Sequence, residues 1–347
     1  MIRVALVIGR LNIGGAEAEL ARLARGLDRS RFEPFVVTLL DAGPLRDRLG
    51  GVEVVELGRK RKWSPGTDGA LRDLLRSRKP DVVQSFLFTE NLFCRWIGQG
   101  AVVSGLQGSL SDAAETGPSV RLWLERRTWP RAAAVVSNSA YYRDLYARLG
   151  LDVQKVRVIP SAVEALPTSG KDLRAEWGIR ADEVVFTVPA RLVERKGHED
   201  VLRAGAGLRL LFAGDGPNRR RLEGRGAILL GARRDMGDVL AASDVVILPS
   251  RFGEGCPNAA LEAMAAGKPV VAARSGGTPE AVDELLYAPG DVRGLREALL
   301  RLAGDPELRR RLGETGRARA AERHAPERMI RAYEDVYIQL TSSRASI

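Results

Sequence analysis

Three stretches of the sequence combine residue types and spacings that could do chemistry on an anionic small molecule. In PARLVERKG (189–197), Arg191 and Lys196 stand five positions apart directly after an aliphatic run. Two cations at the end of a strand suit a diphosphate, because strand C-terminal ends face the ligand crevice of an open α/β sheet. In EGCPNAALEAMAAGKPVVA (254–272), a glycine-containing loop runs into a helix that starts at Pro257. Proline is pre-set for the first helical position, and the free N–H groups around Gly255, Cys256, Pro257 and Asn258 make a second anion cradle. Two carboxylates bracket it. Glu254 in the loop is placed to reach hydroxyls beyond the phosphates; Glu262, about 7 Å further along the helix axis, is placed for ribose hydroxyls rather than a phosphate. In NIGGAEAEL (12–20), Gly14 and Gly15 let backbone N–H groups approach an anion at the electropositive start of a helix. The plainer readings are two solvated cations, a solvated helical glutamate and a tight turn.

Other chemistries are harder to write. The two cysteines, Cys94 and Cys256, and the two histidines, His198 and His324, have no metal-ligand spacing, so no zinc site is expected. His198, beside the Lys196-Gly197 turn, and His324, in a polar helical stretch, read as structural. Cysteine usage fits a reduced, cytosolic protein.

The elements that must position these residues follow from periodicity. A chain of 347 residues is long enough for two domains, and 45% apolar with 28% charged residues excludes collagen-like, disordered and small disulfide-stapled classes. Short aliphatic runs at 3–8, 35–40, 52–57, 81–86, 101–106, 133–138 and 156–160 alternate with segments of helical spacing such as AEAELARLARGL. A second series, EVVFTVPA, LRLLFAG, GAILLG, DVVILPS and KPVVAA, begins after a Pro/Ser/Gly-containing stretch at 160–172 that reads as a linker. Two doubly wound α/β domains are expected, over residues 1–163 and 164–324, facing a central cleft. Residues 325–347 read as a final amphipathic helix that needs a surface, the first domain being the candidate.

Lysine and arginine number 54 against 44 acidic residues, a formal charge of +10 that admits nucleic acid, a membrane surface or an anionic substrate as partner. No nucleic-acid motif is present and the cations are dispersed, so no nucleic acid is expected. The apolar run before Gly9 is too short for a signal or a span, and no later run approaches eighteen residues. A cytoplasmic protein is expected, or one peripheral to the inner membrane face. For the latter, GRKRKW (58–63) and SVRLWLERRTWPR (119–131) interleave cations with Trp63, Trp123 and Trp129 as a contact with an anionic membrane surface would; the alternative is solvated loops.

Taken together, GGAE (14–17), RLVERKG (191–197), GDGP (214–217), the Glu254–Glu262 pair with seven residues between, and GGTPEAV (276–282) resemble glycosyltransferase family 4. The resemblance implies the GT-B fold of two Rossmann-like domains, with an N-terminal acceptor domain and a C-terminal donor domain, and retaining sugar transfer. It implies Arg191, Lys196 and Glu254 as catalytic residues. It implies a nucleotide-diphosphate sugar, UDP- or GDP-linked, bound by Gly14, Gly15, Gly214, Arg233, Gly255, Cys256, Pro257, Asn258 and Glu262, with the base near Gly214 and the 231–233 turn. No metal and no cofactor beyond the co-substrate are implied, and the leaving phosphate itself takes the acceptor proton. The acceptor, a glycan, a lipid-linked or a small-molecule hydroxyl, would meet Gln107 and Asn91. Departures from the family pattern cluster there: Gln107 and Gln84 stand where histidines are common, Ser161-Ala162 replaces Asn-Gly, and Pro189-Ala190 precedes Arg191 where glycine is usual. The alternatives are a nucleotide-sugar binder with lost or altered turnover and a nonhydrolysing sugar-nucleotide 2-epimerase. A monomer or homodimer is expected.

Overall fold

The computed structural model describes residues 1–61, 64, 66–106 and 120–345. Among these, thirteen strands form two wholly parallel sheets. The first contains β1 (Ile2–Ile8), β2 (Phe32–Thr38), β3 (Val54–Glu56), β4 (Val82–Phe86), β5 (Ala101–Leu106), β6 (Ala134–Ser137) and β7 (Val156–Val158), in the order β3-β2-β1-β4-β5-β6-β7. The second contains β8 (Val185–Val188), β9 (Arg209–Ala213), β10 (Ala227–Gly231), β11 (Val245–Leu248), β12 (Val270–Ala273) and β13 (Leu286–Tyr287), in the order β10-β9-β8-β11-β12-β13. Helices alternate with the strands, so central strands are covered on both faces and are mostly apolar, with buried Gln84, Ser85, Ser104 and Thr187 among the exceptions. Val4 to Ile8 and Val245 to Ile247 are all 0% exposed. Each chain path starts in the middle of its sheet, winds one way, and returns to wind the other. The reversal falls between β1 and β4 in one sheet and between β8 and β11 in the other, where loops diverge and leave a crevice.

The chain divides into two compact units, residues Met1–Ser161 with Pro326–Ile347, and residues Ala162–Ala325. In the first, the helix Pro326–Ala345 lies on the helix Gly15–Gly26. A Cβ on Gly26 would come within 2.1 Å of Ile330 Cδ1, so the glycine lets the helices close. Buried polar groups fix the register. Glu19, 2% exposed, accepts from the Tyr333 hydroxyl at 2.7 Å and from the Ser161 hydroxyl at 3.0 Å, and the Tyr337 hydroxyl donates to Gln84 Oε1 at 3.2 Å. Burial and the Glu19 charge push both tyrosine hydroxyls well above their usual pKa, so they stay protonated donors. In the second unit, the helix Pro306–Arg323 begins with the Asp305 carboxylate accepting the Leu308 N–H at 2.8 Å and proline in the first turn. No helix among the described residues is long and apolar enough to cross a membrane.

Candidate functional site

The loops that follow β8 and β11 meet at the reversal point of the second sheet. After β8 the chain makes a 3₁₀ turn, Glu194–Lys196, and enters the helix His198–Ala204 through Gly197. Gly197 is left-handed, at φ +65, and a Cβ there would lie 2.1 Å from the Pro249 carbonyl. Only glycine allows this approach. The Arg251 N–H then donates to the Arg195 carbonyl at 2.8 Å. The contact brings Lys196 Nζ onto Glu254 Oε1 as a hydrogen-bonded ion pair whose side chains are 18% and 13% exposed. Arg195 stands 3.9 Å from the same carboxylate oxygen and lies 3.5 Å from the Phe252 and Gly253 carbonyls. The loop after β12 holds Glu254 from the other direction: the Gly277 N–H donates to the Glu254 carbonyl at 2.9 Å, and Gly276, at φ +56, would carry a Cβ 2.1 Å from that oxygen. Gly214, at the end of β9, leaves room for the Ala190 carbonyl, which a Cβ would approach to 2.0 Å.

Most of the residues expected to bind a donor lie around this junction. Gly255, Cys256 and Pro257 are buried and lead into the helix Asn258–Ala265, whose first turn has no side-chain cap. The Asn258 side-chain oxygen is buried and has no hydrogen-bond partner among the described residues. Glu262 is half-buried in the second turn of that helix. Arg191 is exposed, and its guanidinium enters no ion pair or hydrogen bond among the described residues. Gly214 pairs with Gly231 in an isolated antiparallel bridge, so the loops after β9 and β10 come together. Arg233 is held there by Asp235, at 2.8 and 2.5 Å, and lies 5.7 Å from the Trp177 ring centre. That guanidinium holds the Asp235 carboxyl below its usual pKa.

In the first unit, Gly14 caps the helix Gly15–Gly26, and the space a Cβ would take is filled by the Glu17 carboxylate. Asn91 is fully buried. Its amide accepts from the Ser85 hydroxyl at 2.7 Å and donates to the Gly105 carbonyl at 2.9 Å, which ties β4 to β5 and leaves no face of the side chain exposed. Gln107 lies outside the described residues.

The profile described as Glycosyltransferase Family 4 matches residues 13–165, and the profile described as Glycosyl transferases group 1 matches residues 183–305. The chain belongs to glycosyltransferase family 4. It is 33% identical over 255 residues to a D-inositol 3-phosphate glycosyltransferase of Saccharomonospora viridis, covering 63% of this chain and 58% of that protein. It is 32% identical over 232 residues to an exopolysaccharide phosphotransferase of Streptomyces coelicolor, covering 61% and 24%. Both alignments span less than two thirds of the relative's length. The fold is GT-B: the structure of Anabaena HepE in complex with UDP-glucose superposes with a TM-score of 0.84 at 21% identity, covering all of both chains.

Within this family-4 chain, two features have no signal in the sequence. Arg195, one more charge between Arg191 and Lys196 when read along the chain, contacts the loop that carries Glu254. Arg251 is bound through Nε and Nη2 by the buried Asp200, at 2.9 and 2.8 Å, on the wall of a cavity of about 220 Å³ that Gly197 and His198 also line. The spacing of 51 residues between Asp200 and Arg251 carries no local signal. His198 is buried edge-on against Phe212, with ring centres 4.9 Å apart. Burial and the nearby Lys196 charge push its pKa down to about 4, outweighing the Ala190 backbone, so the ring is neutral near pH 7. No cluster of three or more His, Cys, Asp or Glu suited to a metal ion occurs among the described residues.

Proposed function

We infer that the chain transfers a sugar from a nucleotide-diphosphate sugar, UDP- or GDP-linked, to an acceptor hydroxyl, with retention of configuration and without a metal ion. The observation that carries this reading is the convergence of Lys196, Arg195, Glu254 and an uncapped helix start at the β8/β11 reversal point, with Arg191 exposed nearby. Lys196 pairs with Glu254. An arriving diphosphate offers Lys196 a stronger partner and the free N–H groups of the 258–265 helix an anion, while the released Glu254 carboxylate accepts from sugar hydroxyls. Glu262 is the acceptor for ribose hydroxyls. As the bond between the anomeric carbon and the phosphate oxygen breaks, charge develops on the diphosphate and is met by Arg191, Lys196 and the helix dipole. The acceptor oxygen bonds to the same face of the anomeric carbon, and its proton passes to the departing phosphate oxygen. The UDP-glucose bound by HepE, a protein of the same fold, makes uridine the first base to try. The acceptor is a glycan, a lipid-linked or a small-molecule hydroxyl, and the working form is a monomer or homodimer in the cytoplasm.

Metal-free thermal unfolding with UDP, GDP, their sugar conjugates and NAD as control tests the donor site. A ligand at a hundred times its dissociation constant adds about 2.7 kcal/mol, which raises the midpoint by roughly 5 to 11 °C for units of this size. A shift with one nucleotide family and not with NAD supports the reading, and sugar release to a broad acceptor panel extends it to turnover. No shift with any nucleotide overturns it.

A further inference from the structure

Outside the β8/β11 junction, one surface of the first unit concentrates aromatic and cationic groups. The helix Val120–Thr128 and the turn Trp129–Arg131 pack against the helix Phe88–Ile97. The helical period divides their residues sharply. Leu122, Glu125 and Trp129 face inward, while Val120, Trp123 and Arg127 face out, Val120 at 75% and Trp123 at 63% exposed. From the neighbouring helix Trp96, 57% exposed, joins them with Arg131 stacked 4.7 Å from its ring centre, and Arg121 lies 5.5 Å from the Phe88 ring centre.

The placement of acid is the second observation. The described residues 88–97 and 120–131 contain two carboxylates, Glu90 and Glu125, and both are 0% exposed. Glu125 is paired inside with the equally buried Arg95, which also donates to the Ser104 hydroxyl at 2.9 Å and stacks on Trp129. The outer face of these segments is therefore left with arginine as its only exposed charge. The structure also revises the aromatic set: Trp129, read from sequence as a surface residue, is 2% exposed with its indole N–H donated to the Asp152 carbonyl at 2.7 Å. Trp63 lies outside the described residues.

We propose that the surface formed by Trp96, Val120, Arg121, Trp123, Arg127 and Arg131 docks this unit onto an anionic lipid bilayer. Exposed tryptophans beside arginines suit the boundary between headgroups and acyl chains, where an indole has an apolar body to bury and an N–H to keep wet. A face cleared of carboxylates is complementary to a negative membrane surface, whose attraction per arginine corresponds to roughly a fivefold gain in partition. The inference does not depend on the donor chemistry and can fail or stand apart from it.

Flotation with vesicles of neutral phosphatidylcholine, and of phosphatidylcholine with about 30% phosphatidylglycerol, tests it at low and high salt. The expected result is binding to the anionic vesicles only, weakened by salt. Combined Arg121→Ala, Arg127→Ala and Arg131→Ala substitution lowers the partition on the order of a hundredfold, and Trp96→Ala with Trp123→Ala removes the part of binding that survives salt. All five positions are exposed, so unchanged circular dichroism and thermal midpoints are required of both variants; should either lose its fold, single Arg127→Gln and Trp123→Gln substitutions take its place. Equal binding to neutral vesicles, wild-type binding by the folded arginine variant, or salt-sensitive retention on duplex DNA with none on vesicles overturns the proposal.

Discussion

Replacing Gly276 with alanine tests whether the position of Glu254 is set by the backbone that packs behind it. Gly276 is at φ +56, and its Cβ would stand 2.1 Å from the Glu254 carbonyl, where real Cβ atoms essentially never come nearer than 3.0 Å. The left-handed conformation costs a residue with a Cβ about 1–2 kcal/mol, or roughly 2–8 °C in midpoint. The carbonyl must also retreat by about 0.9 Å, carrying with it the residue that pairs with Lys196. A misplacement of that size in a catalytic array costs on the order of a hundredfold in rate. Gly290→Ala is the matched control, since Gly290 is at φ +79 with nothing within 4 Å of an added methyl group, so it suffers the backbone penalty without displacing a neighbour. Release of free nucleotide from the donor that stabilises the wild type, measured in all three proteins, gives the comparison. Gly276→Ala is expected about a hundredfold below Gly290→Ala when both are assayed well below their thermal midpoints; equal turnover in the two would refute the argument that glycine packing holds Glu254.

Three further outcomes are expected. Arg191→Ala, at an exposed position, leaves stability within about 0.5 kcal/mol but lowers turnover about a hundred- to a thousandfold; Lys196→Ala loses a similar factor and in addition about 1–3 kcal/mol of stability, because Glu254 is left half-buried without its partner, and near-normal turnover in both variants would exclude them from the diphosphate. His198, held neutral in the folded state with a pKa near 4 against an ordinary 6.5, binds its proton in the unfolded chain first, so stability falls as pH drops from about 6.5 to 4 and levels off below; the contribution is on the order of 3 kcal/mol, and urea titrations should show His198→Phe flatter than wild type by that amount across this window, with parallel curves counting against the burial argument.

The strands were legible because a parallel strand buried on both faces is apolar at most positions, and runs such as RVALVI and DVVILPS leave few other readings. The two-residue strand β13 was not, being too short to carry a period. The donor motifs were legible as composition but not as contacts. That Lys196 meets Glu254 across 58 residues of chain is a property of β8 lying beside β11, and periodicity does not state strand order. The glycines were visible in GDGP, RKG and GGTP, yet what each accommodates is the carbonyl of a neighbouring loop. Gln84 and Ser161 read as departures from family chemistry; they are 0% and 1% exposed and hydrogen-bonded to Tyr337 and Glu19. In an arginine-rich segment nothing marks which tryptophan turns inward, and only the packing separates Trp129 from Trp123.

The helix Pro326–Ala345 gives the first unit a history during synthesis. Residues 1–161 leave the ribosome with Glu19 and Gln84 lacking the tyrosine hydroxyls that satisfy them, and the whole of the second unit, residues 162–325, is made before Tyr333 and Tyr337 follow. At about 5–20 residues per second that interval is roughly 10–30 s. For that time the face of the Gly15–Gly26 helix that the last helix covers stays without that cover, while the second unit, continuous in sequence, is free to fold as soon as it emerges. The order of completion is thus the reverse of the order of translation: the unit begun first is the one finished last.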